Sequence, residues 1–206
     1  RAKVIRMMLL EINRLMSHLF WLATTALDIG AMTVFLYAFR EREAITDIYE
    51  KVSGARMTSN YIRVGGVTED LPDGLEQEIR DFVATMPDHI EEYEGLLTGN
   101  KIWQKRTIGV GVITAEDAID IGLTGPALRS SGVDWDLRRD NPYCGYETYD
   151  FDVPVRTECD TFARYKARLD EMRQSSRIIN QALDRLKPGP ANADCPQICL
   201  PPKEDV

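Results

Sequence analysis

The stretch SGARMTSNYIRVGG, residues 53–66, gathers the groups of this chain that most resemble a grip: Arg56 and Arg63 bracket Asn60 and Tyr61, and Gly65-Gly66 follow at once. It is built to hold something close to the backbone, yet it lacks the Lys-Ser/Thr pair of a phosphate loop. A second grouping is Phe20, Thr24 and Asp28. Steps of four place them on one helix face, and the carboxylate falls at the C-terminal end of its helix, where the dipole disfavours negative charge. Buried there, Asp28 needs a hydrogen-bonding or cationic partner. Turned to solvent it is an ordinary helix-end carboxylate, and spacing leaves both readings open.

Other chemistry is poorly supplied. His18 and His89 lie far apart, with no cysteine or carboxylate at ligand spacing, which argues against a metal site. Cys144, Cys159, Cys195 and Cys199 are too few and too scattered for a disulfide framework and read as reduced thiols of a cytosolic type of compartment. The C-x3-C pair of Cys195 and Cys199 has no second cluster beside it. Neither a G-x-S-x-G nor a dinucleotide fingerprint occurs, since Gly65-Gly66 leads into VTEDLPDG and not into a phosphate-facing helix.

Composition bounds what these residues can serve. At 206 residues, 44% apolar and 28% charged, the chain reads as a soluble globular protein of one large domain or two small ones. A net charge of −8 argues against nucleic acid as a partner. Residues 1–63 carry nine Lys/Arg against six Asp/Glu, a balance of +3 that leaves −11 for the rest. The chain opens on Arg1 with no signal peptide and is expected to be a fragment.

The elements that must position these groups are helical. Residues 15–39 are nearly free of charge, but Asp28 and Gly30 interrupt the run, so it reads as two apolar helices joined near Gly30 rather than a membrane span. Arg1, Lys3, Arg6, Glu11 and Arg14 are expected to keep the first helix partly solvated at its start. A second helix covers residues 33–53 and stops at Gly54; a third runs from about residue 73 to Gly99 and is expected to kink at Pro87. Residues 107–155 hold β-branched runs, many glycines and one capped short helix after Thr114. Residues 135–155 are expected to be extended chain and turns. Phe162, Tyr165, Leu169, Met172, Ile179, Leu183 and Leu186 form the stripe of a last helix, closed by KPGP. The expected fold is mainly α, a helical-bundle core over residues 1–186 with short β or irregular segments and a loosely ordered proline-containing tail over 187–206.

The strings EINRLMSHLFWLATTALDIGAMT, FREREAITDIYEKVSGARMTSNYIRVGGVTEDLP, TAEDAIDIGLTGPALRSSGVDWDLRRDNPY and EMRQSSRII resemble, in order, the D subunit of NADH-quinone oxidoreductase, respiratory complex I. That family is similar in turn to the large subunit of nickel-iron hydrogenases. The resemblance implies a helix-rich peripheral-arm subunit on the cytoplasmic face of a bacterial inner membrane, or its organellar equivalent, with no transmembrane segment of its own. With the neighbouring B subunit it would form a quinone-reduction pocket beside a [4Fe-4S] cluster that the B subunit holds, so this chain would bind no cofactor itself.

The resemblance also implies roles for particular residues. Asp28 would hydrogen-bond a histidine that points at the quinone headgroup, with Thr24 and Phe20 along the same pocket wall. Arg56 and Arg63 would lie near the cluster, at the junction with the partner. The quinone-contacting histidine and tyrosine belong to family segments upstream of Arg1, so the fragment alone is expected to be inactive. Many relatives carry a histidine at the position of Thr58, and threonine cannot titrate in that range. A second reading is the large subunit of an energy-converting nickel-iron hydrogenase, with its C-x2-C motifs outside residues 1–206. On either reading the purified chain is expected to bind no iron, nickel or zinc. Elemental analysis checks this, and stoichiometric metal that is lost when Cys195 and Cys199 are changed would contradict it.

Overall fold

A run of leucine, isoleucine, methionine and alanine carries α1 (Ala2–Ile29) through the middle of the molecule, described over residues 1–193 of a computed structural model. Ile5, Met8, Ile12, Leu15, Leu19, Ala23 and Ala26 recur at three- and four-residue steps and are all buried. Each of the large side chains among them contributes about 1.5–3 kcal/mol relative to exposure. Gly30 ends the helix at φ 99°, and the amide of Ala31 reaches back to the carbonyl of Ala26 at 2.7 Å. This left-handed cap reverses the chain into α2 (Met32–Ser53), which packs back along α1 and stops at Gly54, again left-handed. The two-helix reading of residues 15–53 holds.

A two-stranded antiparallel hairpin follows, β1 (Ile62–Arg63) and β2 (Gly66–Val67). Next, α3 (Leu75–Leu97) continues past Pro87 as one helix and buries Ile79, Val83, Met86, Ile90, Tyr93 and Leu97, packing against α2 and the last helix. Asn100 caps the short α4 (Lys101–Thr107), accepting from the amides of Ile102 and Trp103. That last helix, α8 (Thr161–Arg185), is capped by the Asp160 carboxylate on the Ala163 amide and packs along α1.

Over residues 107–155 the capped helix after Thr114 is found, while helical turns replace part of the extended chain expected at 135–155. The β-branched run forms no strand, and the capped α5 (Ala115–Asp120) is followed by α6 (Gly125–Arg129), α7 (Leu137–Asp140) and a 3-10 turn over Tyr146–Thr148. These turns are too short to show periodicity, and α7 depends on Asp136, whose carboxylate accepts from the Arg138 amide at 2.9 Å. Of the tail, residues 191–193 bond to the hairpin, with Ala191 accepting from Val67 and Ala193 donating to Gly65. Cys195 and Cys199 lie outside the described residues.

Glu11 corrects the solvated-start reading of α1, because it is fully buried. Its carboxylate accepts from Ser175 Oγ at 2.6 Å, Arg14 Nε at 3.3 Å, Arg138 Nη1 at 3.4 Å and the Tyr146 hydroxyl. A second buried carboxylate, Glu171, accepts from His18 Nε2 at 2.7 Å and from both Nε and Nη2 of Arg129. Asp136 joins the two sets, pairing with Arg138 Nη2 at 2.7 Å and lying 3.3 Å from Arg129 Nη1. Most of these partners lie more than a hundred residues from α1 in the sequence, so helical spacing could not reveal them. Together they fasten α1, α8 and the 129–146 segment to one another.

Burial alone would raise the Glu171 carboxyl, but the bond from His18 and the charge of Arg129 hold it down at about 2, below its ordinary 4.5. A carboxyl whose folded value is depressed contributes stability that is complete above its unfolded value and is lost as pH falls through the folded one. The window is therefore pH 4.5 to 2, and the loss amounts to about 3 kcal/mol. Urea unfolding of the full-length subunit over that range should show the decline in wild type and a flatter acid limb in Glu171→Gln. Parallel limbs would contradict the pairing.

Candidate functional site

The exposed end of α1 carries the first set of candidate residues. Phe20 is 49% exposed, Thr24 is half-buried and Asp28 is exposed, so the shared face inferred from spacing is an outward one. The Thr24 hydroxyl is used locally, donating to the carbonyls of Phe20 at 3.0 Å and Trp21 at 3.3 Å. Asp28 has no hydrogen-bond partner among the described residues, so of the two readings of its carboxylate the chain itself realises the solvent-facing one. Arg106 donates to the Ile29 carbonyl at 2.8 Å and brings a cation to the C-terminal end of α1, where the dipole favours it. Close by in the sequence, Leu27, Met32 and Leu36 are all exposed, Met32 at 60%. An exposed carboxylate, unpaired among the described residues, is accessible at this helix end.

Phe20 also faces α2. Its ring lies 6.2 Å from that of Phe39, and the Arg42 guanidinium sits over both rings, 5.9 Å from Phe20 and 5.2 Å from Phe39. Phe20, Met16, Arg42 and Met57 line a hollow of about 210 Å³. A second hollow of about 320 Å³ lies next along α1, between Leu10, Asn13, Tyr49, Arg56, Thr58 and Ile62. The fold thus brings Phe20 beside the 56–62 loop, whereas Thr24 and Asp28 line neither of these hollows.

The two arginines of the opening motif are in unlike settings. Arg56 lies along α2, bonded to Asp47 at 2.5 Å, Thr46 at 2.8 Å, Glu50 at 3.3 Å and to Glu43. Three carboxylates compensate its charge. Arg63 stands on the exposed face of β1; among the described residues its side chain makes one contact, Nε to Thr68 at 3.4 Å, and no carboxylate pairs with it. Its charge faces outward beside Val64, which is 78% exposed. Gly66 has a packing reason: a Cβ there would meet the Ala191 carbonyl oxygen at 2.4 Å. Thr58 adopts φ 54°, a left-handed conformation that costs a β-branched residue about 1 kcal/mol or more.

Sequence reasoning missed the buried set around Glu11 and Glu171, and His18 with it. The one local signal was the grouping of arginine and aspartate in WDLR, which names no partner. Among the described residues no group of three or more His, Cys, Asp or Glu is placed to hold a metal ion, and no helix is long and apolar enough to cross a membrane.

Comparison with known proteins gives this geometry its setting. Residues 28–206 match the family described as respiratory-chain NADH dehydrogenase, 49 Kd subunit. Over the whole chain it is 69% identical to the D subunit of NADH-quinone oxidoreductase from Geotalea uraniireducens, covering 53% of that protein. It is 65% identical to the corresponding D subunit from Geobacter sulfurreducens, over all 206 residues and 53% of that protein. The D subunit from Acidothermus cellulolyticus is 54% identical over 98% of the chain and 46% of its own length. The chain spans about half the length of the curated relatives it matches.

Proposed function

The chain belongs to the family of the respiratory-chain NADH dehydrogenase 49 kDa subunit, and on that premise we propose that it is a peripheral-arm part of complex I that supplies one wall of a quinone-reduction pocket. The observation that carries this reading is the outward end of α1: Phe20, Thr24 and Asp28 on one face, with Leu27, Met32 and Leu36 uncovered beside them. An isoprenoid quinone needs an apolar wall with a few polar groups at its headgroup, and this end has that composition. The names of the relatives support the oxidoreductase reading over the hydrogenase one.

In this reading the carboxylate of Asp28 accepts a hydrogen bond from a histidine supplied by another part of the full-length subunit. It fixes that ring's orientation and stabilises its protonated form beside the quinone. Arg63 presents a fixed positive charge toward a partner subunit that holds a [4Fe-4S] cluster, where it favours the reduced state. Arg56, already compensated, holds the loop in place. Thr58 takes no proton in the physiological range, so coupling of that cluster to protonation does not run through this position. Electron transfer from NADH to quinone, proton translocation and attachment to the cytoplasmic face belong to the assembled complex, and the isolated chain is inactive.

Asp28→Asn keeps shape and hydrogen bonding but removes the charge. Loss of such an orienting partner typically costs about tenfold to a hundredfold. In membranes carrying the full-length variant, NADH oxidation with a quinone acceptor should fall by that factor. The rate with an artificial acceptor that takes electrons upstream, and the amount of assembled complex, should stay normal. Full quinone activity would mean that Asp28 is only a helix-end carboxylate.

A further inference from the structure

A groove of about 190 Å³ opens between Arg14, the start of α6 and the 135–143 segment. At about 30 Å³ per water it has room for several water-sized groups. Arg14, Arg129 and Arg138 line it, together with Trp135 and Tyr143. Arg129 and Arg138 are nearly fully buried and spend their donors inward, on Glu171, Asp136, Glu11 and the Trp135 carbonyl. Arg14 differs. Among the described residues its side chain makes one hydrogen bond, from Nε to Glu11 at 3.3 Å, and its two Nη groups have no partner although the side chain is only 24% exposed. The Trp135 indole N–H and the Tyr143 hydroxyl likewise have none among the described residues.

The carboxylate on this wall is used up. Asp136 is the carboxylate that lines the groove, and it accepts from the Arg138 amide, Nε and Nη2 and lies 3.3 Å from Arg129. What remains open are two Nη groups and an indole N–H, which only donate, and the Tyr143 and Thr124 hydroxyls, which donate or accept. Arg168 lies 3.9 Å over the Trp21 ring and, among the described residues, donates to the Arg164 carbonyl and to no carboxylate, so four arginines here face the three buried carboxylates Glu11, Asp136 and Glu171. Burial, aided by the nearby charges of Arg168 and Arg14, holds the His18 pKa below its ordinary value against the opposing pull of Glu171.

We propose that this groove is an oxyanion site, in which a phosphate or carboxylate group accepts from the Arg14 Nη groups and is closed in by the Trp135 N–H and the Tyr143 hydroxyl. Guanidinium forks match the geometry of both anions. The bound anion would tie α1 to the 135–143 segment from the outside, as Glu11 and Arg138 do from within. The site is independent of the quinone wall, since Phe20, Thr24 and Asp28 contribute nothing to it.

Calorimetric titration of the full-length subunit with inorganic phosphate and with acetate, each against chloride at matched ionic strength, tests the assignment and tells a phosphoryl ligand from a carboxylate. Saturable binding of either anion is expected, weakened about tenfold in Arg14→Gln. Tyr143→Phe, at an exposed position, should weaken it about threefold while leaving circular dichroism unchanged, and serves if the arginine variant does not fold. Absence of saturable binding of both anions, or wild-type affinity in a folded Arg14→Gln or in Tyr143→Phe, would overturn the proposal.

Discussion

Two carboxylates with no solvent exposure, Glu11 on α1 and Glu171 on α8, are the constraint on which the rest of this structure depends. Neither can be ionised there without cations and hydrogen-bond donors around it, and removing one partner of such a buried pair costs about 3–5 kcal/mol. The donors come from Arg14 and His18 on α1, Arg129 on α6, Arg138 on α7, Tyr146 in the 3-10 turn and Ser175 on α8. Segments with weak secondary structure of their own are thereby held against two of the longest helices. The α3 helix is attached by the same means on a smaller scale: Tyr93 donates to the buried Glu41 of α2 at 2.5 Å, and Glu94 pairs with Lys166 and Arg173 of α8.

That constraint decides which surface is left over. One side of α1 is committed to α8 through His18 and Glu11, and another packs on α2 through the apolar core. The left-handed cap at Gly30 then turns the chain back before the end of α1 is covered, leaving Leu27, Asp28 and Met32 outward. The hairpin places Arg63 outward in a comparable way, because β2 and the tail are held together by the close approach at Gly66. The surface left over thus carries, at separate places, the Asp28 carboxylate beside exposed Leu27 and the Arg63 guanidinium beside exposed Val64, neither paired with an opposite charge among the described residues.

Much of this was legible in the sequence. The four long helices, the break at Gly30, the stop at Gly54 and the capped turn after Thr114 follow from periodicity and cap chemistry, which act over a few residues. The face shared by Phe20, Thr24 and Asp28 also followed from spacing. The strings ALDIGAMT and SGVDWDLR carried the family. Illegible were Glu11, assigned to solvent because a lone carboxylate on a basic helix start usually lies there, and His18, whose partner is 153 residues away. Short helices such as α6 and α7 escaped as well, since they exist through Asp136, Arg129 and Arg138 rather than through their own propensity. Arg56 and Arg63 look alike in the motif, and only the acidic face of α2, with Glu43, Asp47 and Glu50, sets them apart.

A photoreactive quinone analogue, cross-linked in the intact membrane complex and mapped by peptide mass spectrometry, tests most directly whether the outward end of α1 is a quinone wall. Label on the peptide spanning residues 20–28, displaced by excess natural quinone, is the expected result. Displaceable label found elsewhere in the complex, with none on that peptide, would contradict the account.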